Sequence, residues 1–190
     1  ARVTGITLDD DKIRAIMKLQ ETLHWALGRD RKHASIGVYD ADTLAGQTFT
    51  YRSVAPDELR FVPLGYDEHA EASRLTPREV LSVHPKGKAY ARLLATFQRY
   101  PLLVDGQGEV LSLPPIINSE HPKVTAKTRN FFIDVTGTEE RLIQRALNIL
   151  VTSLAELDGR VTIEQVRICY ADRKVITPDL TPQRVTLSAS

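Results

Sequence analysis

One cysteine, Cys169, stands in the whole chain. That excludes an intrachain disulfide and any multi-cysteine zinc site, and it fits a reducing cytoplasm. Net charge is almost absent: 25 Lys and Arg against 24 Asp and Glu leave +1. A chain so balanced is no strongly electrostatic nucleic-acid binder, so any RNA contact must come from local clusters. No apolar run approaches the ~18 residues of a membrane span, and no signal-peptide pattern opens the chain. Ala1 occupies the place of an initiator Met, which suggests an excised piece of a longer protein. Also missing are the phosphate loop GxxxxGKS/T, the dinucleotide fingerprint GxGxxG, the nucleophile elbow GxSxG and the zinc motif HExxH. His69 lies among carboxylates, but no second histidine stands at ligand spacing, so no metal site is expected.

What is present is enough apolar material for a core. Of 190 residues, 42% are hydrophobic and 26% charged, which argues for a folded domain and against disorder. Residues 9–27 carry Ile13, Ile16, Leu23 and Leu27 at helical spacing, with acidic residues at the start and Gly28 at the end. The basic run Arg29 to His33 follows and reads as a solvated turn that complements the helix dipole, with RNA contact as the alternative. Residues 34–40 alternate as a strand, and 47–53 and 60–64 read as two more. Thr76-Pro77-Arg78-Glu79 is a helix start with a capping box. A second short helix after His84 and Pro85 is expected to turn Tyr90, Leu93, Leu94 and Phe97 inward, with His84 in a structural turn. The longest apolar stripe, Leu142 to Leu157, predicts a core helix over 138–157. Residues 161–170 read as one strand with a bulge, 175–176 as its return, 184–187 as a possible last strand, and 178–190 as the start of a linker. The fold class that follows is mixed α/β (α+β): irregular, largely antiparallel sheets with three or four packed helices, in one domain over 1–190. No internal repeat or low-complexity tract divides it.

The most informative stretch is 101–138. Two apolar runs, 101–104 and 110–113, flank Asp105-Gly106-Gln107-Gly108 and predict a hairpin whose glycines supply positive φ. Pro114-Pro115 cannot donate backbone hydrogen bonds and should end that ladder. Ile116-Ile117-Asn118-Ser119-Glu120 then sets apolar and polar side chains side by side. The next strand, 130–136, holds Asp134 between Ile133 and Val135. A carboxylate in such a run is costly to bury unless it is hydrogen-bonded or has a task.

LSLPPIINSE followed by FFIDVTGT resembles the editing domain of the phenylalanyl-tRNA synthetase β subunit, archaeal and eukaryotic type. RKHASIGVYDADTL, HPKGKAYA and ALNILVT agree in the same order, so the resemblance covers roughly 31–166. It implies hydrolysis of tyrosine wrongly esterified to the phenylalanine tRNA, without a covalent nucleophile. By motif position it carries over Leu103, Ser112, Asp134 and Thr136 as lining a tyrosine pocket, with Pro114, Pro115 and Asn118 shaping the same cleft. Turn or cap hydrogen bonding is the plainer role for Ser112 and Thr136, and a carboxylate satisfied by backbone amides the plainer role for Asp134. The resemblance further implies the acceptor end of the phenylalanine tRNA as partner, an α subunit in a heterotetramer, and a cytoplasmic setting. No cofactor is implied in this domain; ATP and Mg²⁺ are expected only of the complete synthetase. Two other functions stand beside this one: a non-catalytic structural or tRNA-docking module of the β subunit, and a free-standing RNA-binding or editing protein.

Overall fold

The computed structural model describes residues 1–157 and 159–182. In chain order the elements are β1 (Arg2–Thr4), α1 (Asp10–Ala26), β2 (Ala34–Asp40), β3 (Thr50–Val54), α2 (Pro77–Val83), α3 (Pro85–Tyr90), β4 (Tyr100–Val104), β5 (Val110–Leu113), β6 (Ile117–Asn118), β7 (Asn130–Gly137), α4 (Glu140–Leu157), β8 (Thr162–Glu164), β9 (Val166–Cys169) and β10 (Lys174–Thr177). The fold is α+β with antiparallel sheets, as the patterning predicts.

The first sheet has the order β2-β7-β1-β8. Helices α1 and α4 lay their apolar stripes against it: Ile16 and Leu23 from α1, and Leu147, Leu150 and Leu154 from α4, meet Ile36, Val38, Phe131 and Ile133. The second sheet has the order β3-β4-β5-β6, and its core gathers Leu102, Val104, Leu113 and Ile116 with Val80 of α2. A smaller cluster of Tyr39, Leu103, Leu111 and Phe132 joins the two. Strand β2 alternates as expected, yet every one of its seven residues is buried. Ile36 and Val38 face the helices, and the second sheet covers the more polar side.

Local signals are realised closely. Asp9 caps α1 by accepting from Lys12 N, and Thr76 and Glu79 form the reciprocal capping box of α2. His84 has the expected turn role: buried, it caps α3 by accepting from Lys86 N.

Several expectations are corrected. The predicted strand over 60–64 is only two isolated bridges, Phe61 to Leu75 and Pro63 to Ser119, because Pro63 cannot extend a ladder. Helix α3 stops at Tyr90 and a 3₁₀ turn, Ala91–Leu93, follows. Helical spacing therefore ends before Phe97, which is 53% exposed instead of inward. In the 105–108 turn only Gly108 has positive φ (+89°). Gly106 is needed for space, since a Cβ there would lie 2.9 Å from Ala45 O. The turn is organised by the buried Asp105 carboxylate, which accepts from Ala45 N, Gln107 N and Glu109 N. The β4–β5 ladder ends at Leu113, before the prolines as expected, but the sheet goes on: after a turn closed by Ile116 N donating to Leu113 O, β6 returns onto β5 and pairs Ser112 with Asn118. The run 161–170 is broken rather than bulged, with β8 on the first sheet and β9 paired to β10. Gln165, at the break, donates to Pro178 O. The possible strand at 184–187 lies outside the described residues.

Candidate functional site

The two sheets approach each other along two rows of paired residues. In the second sheet, Tyr51 pairs with Leu103, Leu103 with Ser112, and Ser112 with Asn118. In the first, Gly37 pairs with Asp134 and Ser35 with Thr136. Paired residues on antiparallel strands stand side by side, so each row is a short wall.

Tyr39 ties the walls together. Its hydroxyl lies 2.6 Å from Asp134 Oδ1 and 2.8 Å from Ser112 Oγ. A phenol has one proton to give, and the carboxylate is the stronger acceptor, which leaves the Ser112 hydroxyl free to donate in return. Burial, reinforced by Asp134, holds the Tyr39 phenol well above its ordinary pKa, so it stays a donor. Burial likewise pushes the Asp134 carboxyl up to about 6, against the downward pull of the Tyr39 hydrogen bond. Gly37 makes this possible, because a Cβ there would sit 2.0 Å from the Tyr39 hydroxyl and 2.2 Å from Asp134 Oδ1.

Beside this group lies a cavity of about 310 Å³, within the range of small-ligand pockets. Asp134, Thr136, Ser112, Pro114, Pro115 and Asn118 all line it. Six of the seven predicted site residues are thus brought together. Leu103, although in the same row as Ser112, packs into the cluster with Tyr39 and Phe132 and does not line the cavity. Asp134 is turned toward the cavity, not away from it.

A second cavity of about 610 Å³ adjoins the first, and Arg31, Pro114, Pro115 and Thr136 belong to both. Arg31 corrects the reading of its basic run as a solvated turn. Arg29, Asp30 and Arg31 have φ of 45°, 56° and 66°, a left-handed turn of three non-glycine residues that costs on the order of 1–2 kcal/mol each. The turn sends Arg31 inward, where it is buried. Its guanidinium donates to Ile116 O at 3.0 Å and to Glu21 Oε1 at 2.8 Å, and lies over the Tyr90 ring. Local strain thus supports a clamp on the 114–116 turn. Nearby, buried His24 accepts from Ile36 N at 2.8 Å, and burial pushes its pKa down to about 4.

No activated nucleophile is formed here. Ser112 has Tyr39 as its neighbour, not a histidine, and among the described residues no three His, Cys, Asp or Glu side chains gather as a metal site would. Asp134, Ser112, Thr136 and Asn118 offer a carboxylate, two hydroxyls and an amide beside apolar Pro114, Pro115 and Ile116, which suits binding a substrate that also has apolar surface. Glu21, Arg31, Lys86 and Lys123 add charge to the same lining. Sequence reasoning missed Tyr39, Gly37 and Arg31. The Ser35-Gly37-Tyr39 side of β2 was the available signal, since it is too small and polar for a core face.

The B3/4 domain family matches residues 10–171. The chain is 47% identical over 190 residues to the phenylalanine–tRNA ligase beta subunit of Methanothrix thermoacetophila, covering all of this chain and 34% of that protein. It is 44% identical over 181 residues to the same subunit of Methanocaldococcus jannaschii, covering 95% and 31%. The chain therefore spans about a third of the length of these curated relatives. A crystal structure of an N-terminal fragment of the phenylalanyl-tRNA synthetase beta subunit from Pyrococcus horikoshii superposes with a TM-score of 0.89 at 43% identity, over 96% of this chain and 50% of that one.

Proposed function

Because the chain belongs to the B3/4 domain family and resembles phenylalanine–tRNA ligase beta subunits along its length, we propose that it edits misacylated tRNA by hydrolysing tyrosine wrongly esterified to the phenylalanine tRNA. The observation that supports this most is Asp134: a carboxylate on the cavity wall, with Tyr39 on Oδ1 and its second oxygen left as an acceptor. A phenylalanine pocket rejects a ring bearing one extra hydroxyl only about 100-fold, short of the ~10⁴ that translation needs. A second site that rewards the hydroxyl closes the gap. An ionised carboxylate accepts from a phenol and gives a phenyl ring nothing. Such a bond contributes ~1.5–3 kcal/mol, or roughly 10- to 150-fold in favour of tyrosine.

The reaction balances with water alone. The water oxygen bonds to the ester carbonyl carbon, the bond from that carbon to the ribose oxygen breaks, and a water proton ends on the ribose oxygen. The products are tyrosine and uncharged tRNA. An ester is already activated, so a positioned water beside the terminal ribose hydroxyls suffices. In this reading the full-length protein works in the cytoplasm with an α subunit in a heterotetramer. ATP- and Mg²⁺-dependent aminoacylation belongs to other parts of that assembly.

The test is Asp134→Ala and Asp134→Asn in the full-length assembly, following deacylation of tyrosyl- and phenylalanyl-tRNA alongside a denaturant melt. Expected is a loss of the tyrosine preference of about 10-fold or more. Unchanged tyrosyl-tRNA deacylation with unchanged stability removes Asp134 as the reader. An inert wild type leaves a binding module rather than an editing one.

A further inference from the structure

We infer that the second cavity is the seat of the single-stranded 3′ end of the tRNA, with its phosphates on Lys32, Arg52 and Arg99 and a base stacked on Phe97. The inference rests on the editing reading and adds where the nucleotide part of the substrate lies.

Charge comes first. The chain as a whole carries only +1, yet this cavity is walled by five Lys and Arg side chains and no Asp or Glu. The carboxylates that pair with these cations stand outside the wall. Glu58 serves both Arg52 at 3.7 Å and Arg99 at 3.3 Å, and Asp30 holds Arg92. One carboxylate shared by two guanidinium groups leaves one positive charge over, and Lys32, exposed and without an ion pair among the described residues, adds another. A local excess of this kind is what a neutral chain needs to bind a phosphate backbone.

Aromatic surface comes second. Phe97 and Tyr51 line the same cavity at 53% and 55% exposure. A half-exposed phenylalanine forgoes much of the ~1.5–3 kcal/mol its burial could contribute. Cations interleaved with open ring faces are the composition that holds unpaired nucleotides, because every base has a stacking face.

Position comes third. The two cavities share Pro114, Pro115 and Thr136. A tyrosyl group beside Asp134 and an adenosine beside Phe97 would therefore meet at that shared edge, where the ester has to be. The second cavity is the larger, about 610 Å³ against about 310 Å³, and supplies the room for nucleotides.

The test is a binding measurement that needs no hydrolysis. The full-length assembly is titrated with an RNA hairpin bearing a short single-stranded 3′ overhang, and with its blunt counterpart, across a range of salt. Expected is tighter binding of the overhang. Lys32→Ala and Arg52→Ala should each flatten the log–log salt slope by about 0.7, and Phe97→Ala should weaken the overhang by roughly 5- to 150-fold. Arg52→Lys should restore the slope. Arg78→Ala, an exposed arginine outside both cavities, controls for loss of charge in general. Equal binding of both hairpins overturns the inference, as does a slope and affinity unmoved by all three variants or moved equally by Arg78→Ala. An inert wild type with overhang-specific binding would sink the editing reading and leave this cleft standing.

Discussion

Tyr39 is the residue on which the site's proton balance turns. Its hydroxyl pulls the Asp134 pKa down while burial pushes it up to about 6. Tyr39→Phe keeps the ring and removes that donor, together with the hydroxyl's contact to Ser112 Oγ. The carboxyl should then titrate higher, and a tyrosine preference that depends on its ionised form should be lost at a higher pH than in the wild type. The pH profile of the ratio of tyrosyl- to phenylalanyl-tRNA deacylation measures this directly. A profile that stays in place would mean that the ratio is not set by Asp134. Tyr39 was not legible as a site residue. It is 73 positions from Ser112 and 95 from Asp134, and no local pattern encodes a meeting across two sheets. Asp134, by contrast, was conspicuous, because a lone carboxylate between Ile133 and Val135 needs a reason.

Elements whose signals are local could be read closely. The caps of α1 and α2 and the stripe of α4 are properties of a few neighbouring side chains, and all three are present. Helix α4 packs on β7 and carries fully buried Leu150, so Leu150→Ala should cost ~2–5 kcal/mol in urea melts. Ile149, one position away and 41% exposed, should cost less than about half a kilocalorie as Ala, apart from its own propensity. Equal losses at both would contradict the packing described. The failures were of extent. Helix α3 gives way at Tyr90, and the 161–170 run divides between two sheets, because strand partners are chosen by distant chain. The left-handed turn at Arg29–Arg31 was hidden for a related reason. Nothing in three polar residues announces strain that is repaid by a guanidinium reaching Ile116 O.

At the scale of the whole molecule, half-buried Asp134 and buried His24 set opposing pH slopes. Asp134 has a folded pKa of about 6, above its ordinary 3.8, so its contribution is fully present below about 4 and is lost as pH rises through about 6. His24 has a folded pKa of about 4, below its ordinary 6.5, so its contribution is present above about 6.5 and is lost as pH falls through about 4. The two oppose each other in the wild type, over nearly the same interval of pH. Asp134→Asn should therefore unmask a protein that loses stability as pH falls from about 6.5 to about 4. Chemical denaturation at both ends of that interval reads the slope, and a flat Asp134→Asn curve would show that His24 does not titrate as described.

The shared edge of Pro114, Pro115 and Thr136 has a consequence of its own. Two rooms with a party wall cannot be rebuilt one at a time. A change at Asp134 should register only in the choice of amino acid, and a change at Phe97 only in the grip on RNA. A change in the wall should register in both, with no movement needed to carry the message between them. For such a wall the stiffest available material is the natural one, and the chain builds it from two consecutive prolines braced by a buried arginine.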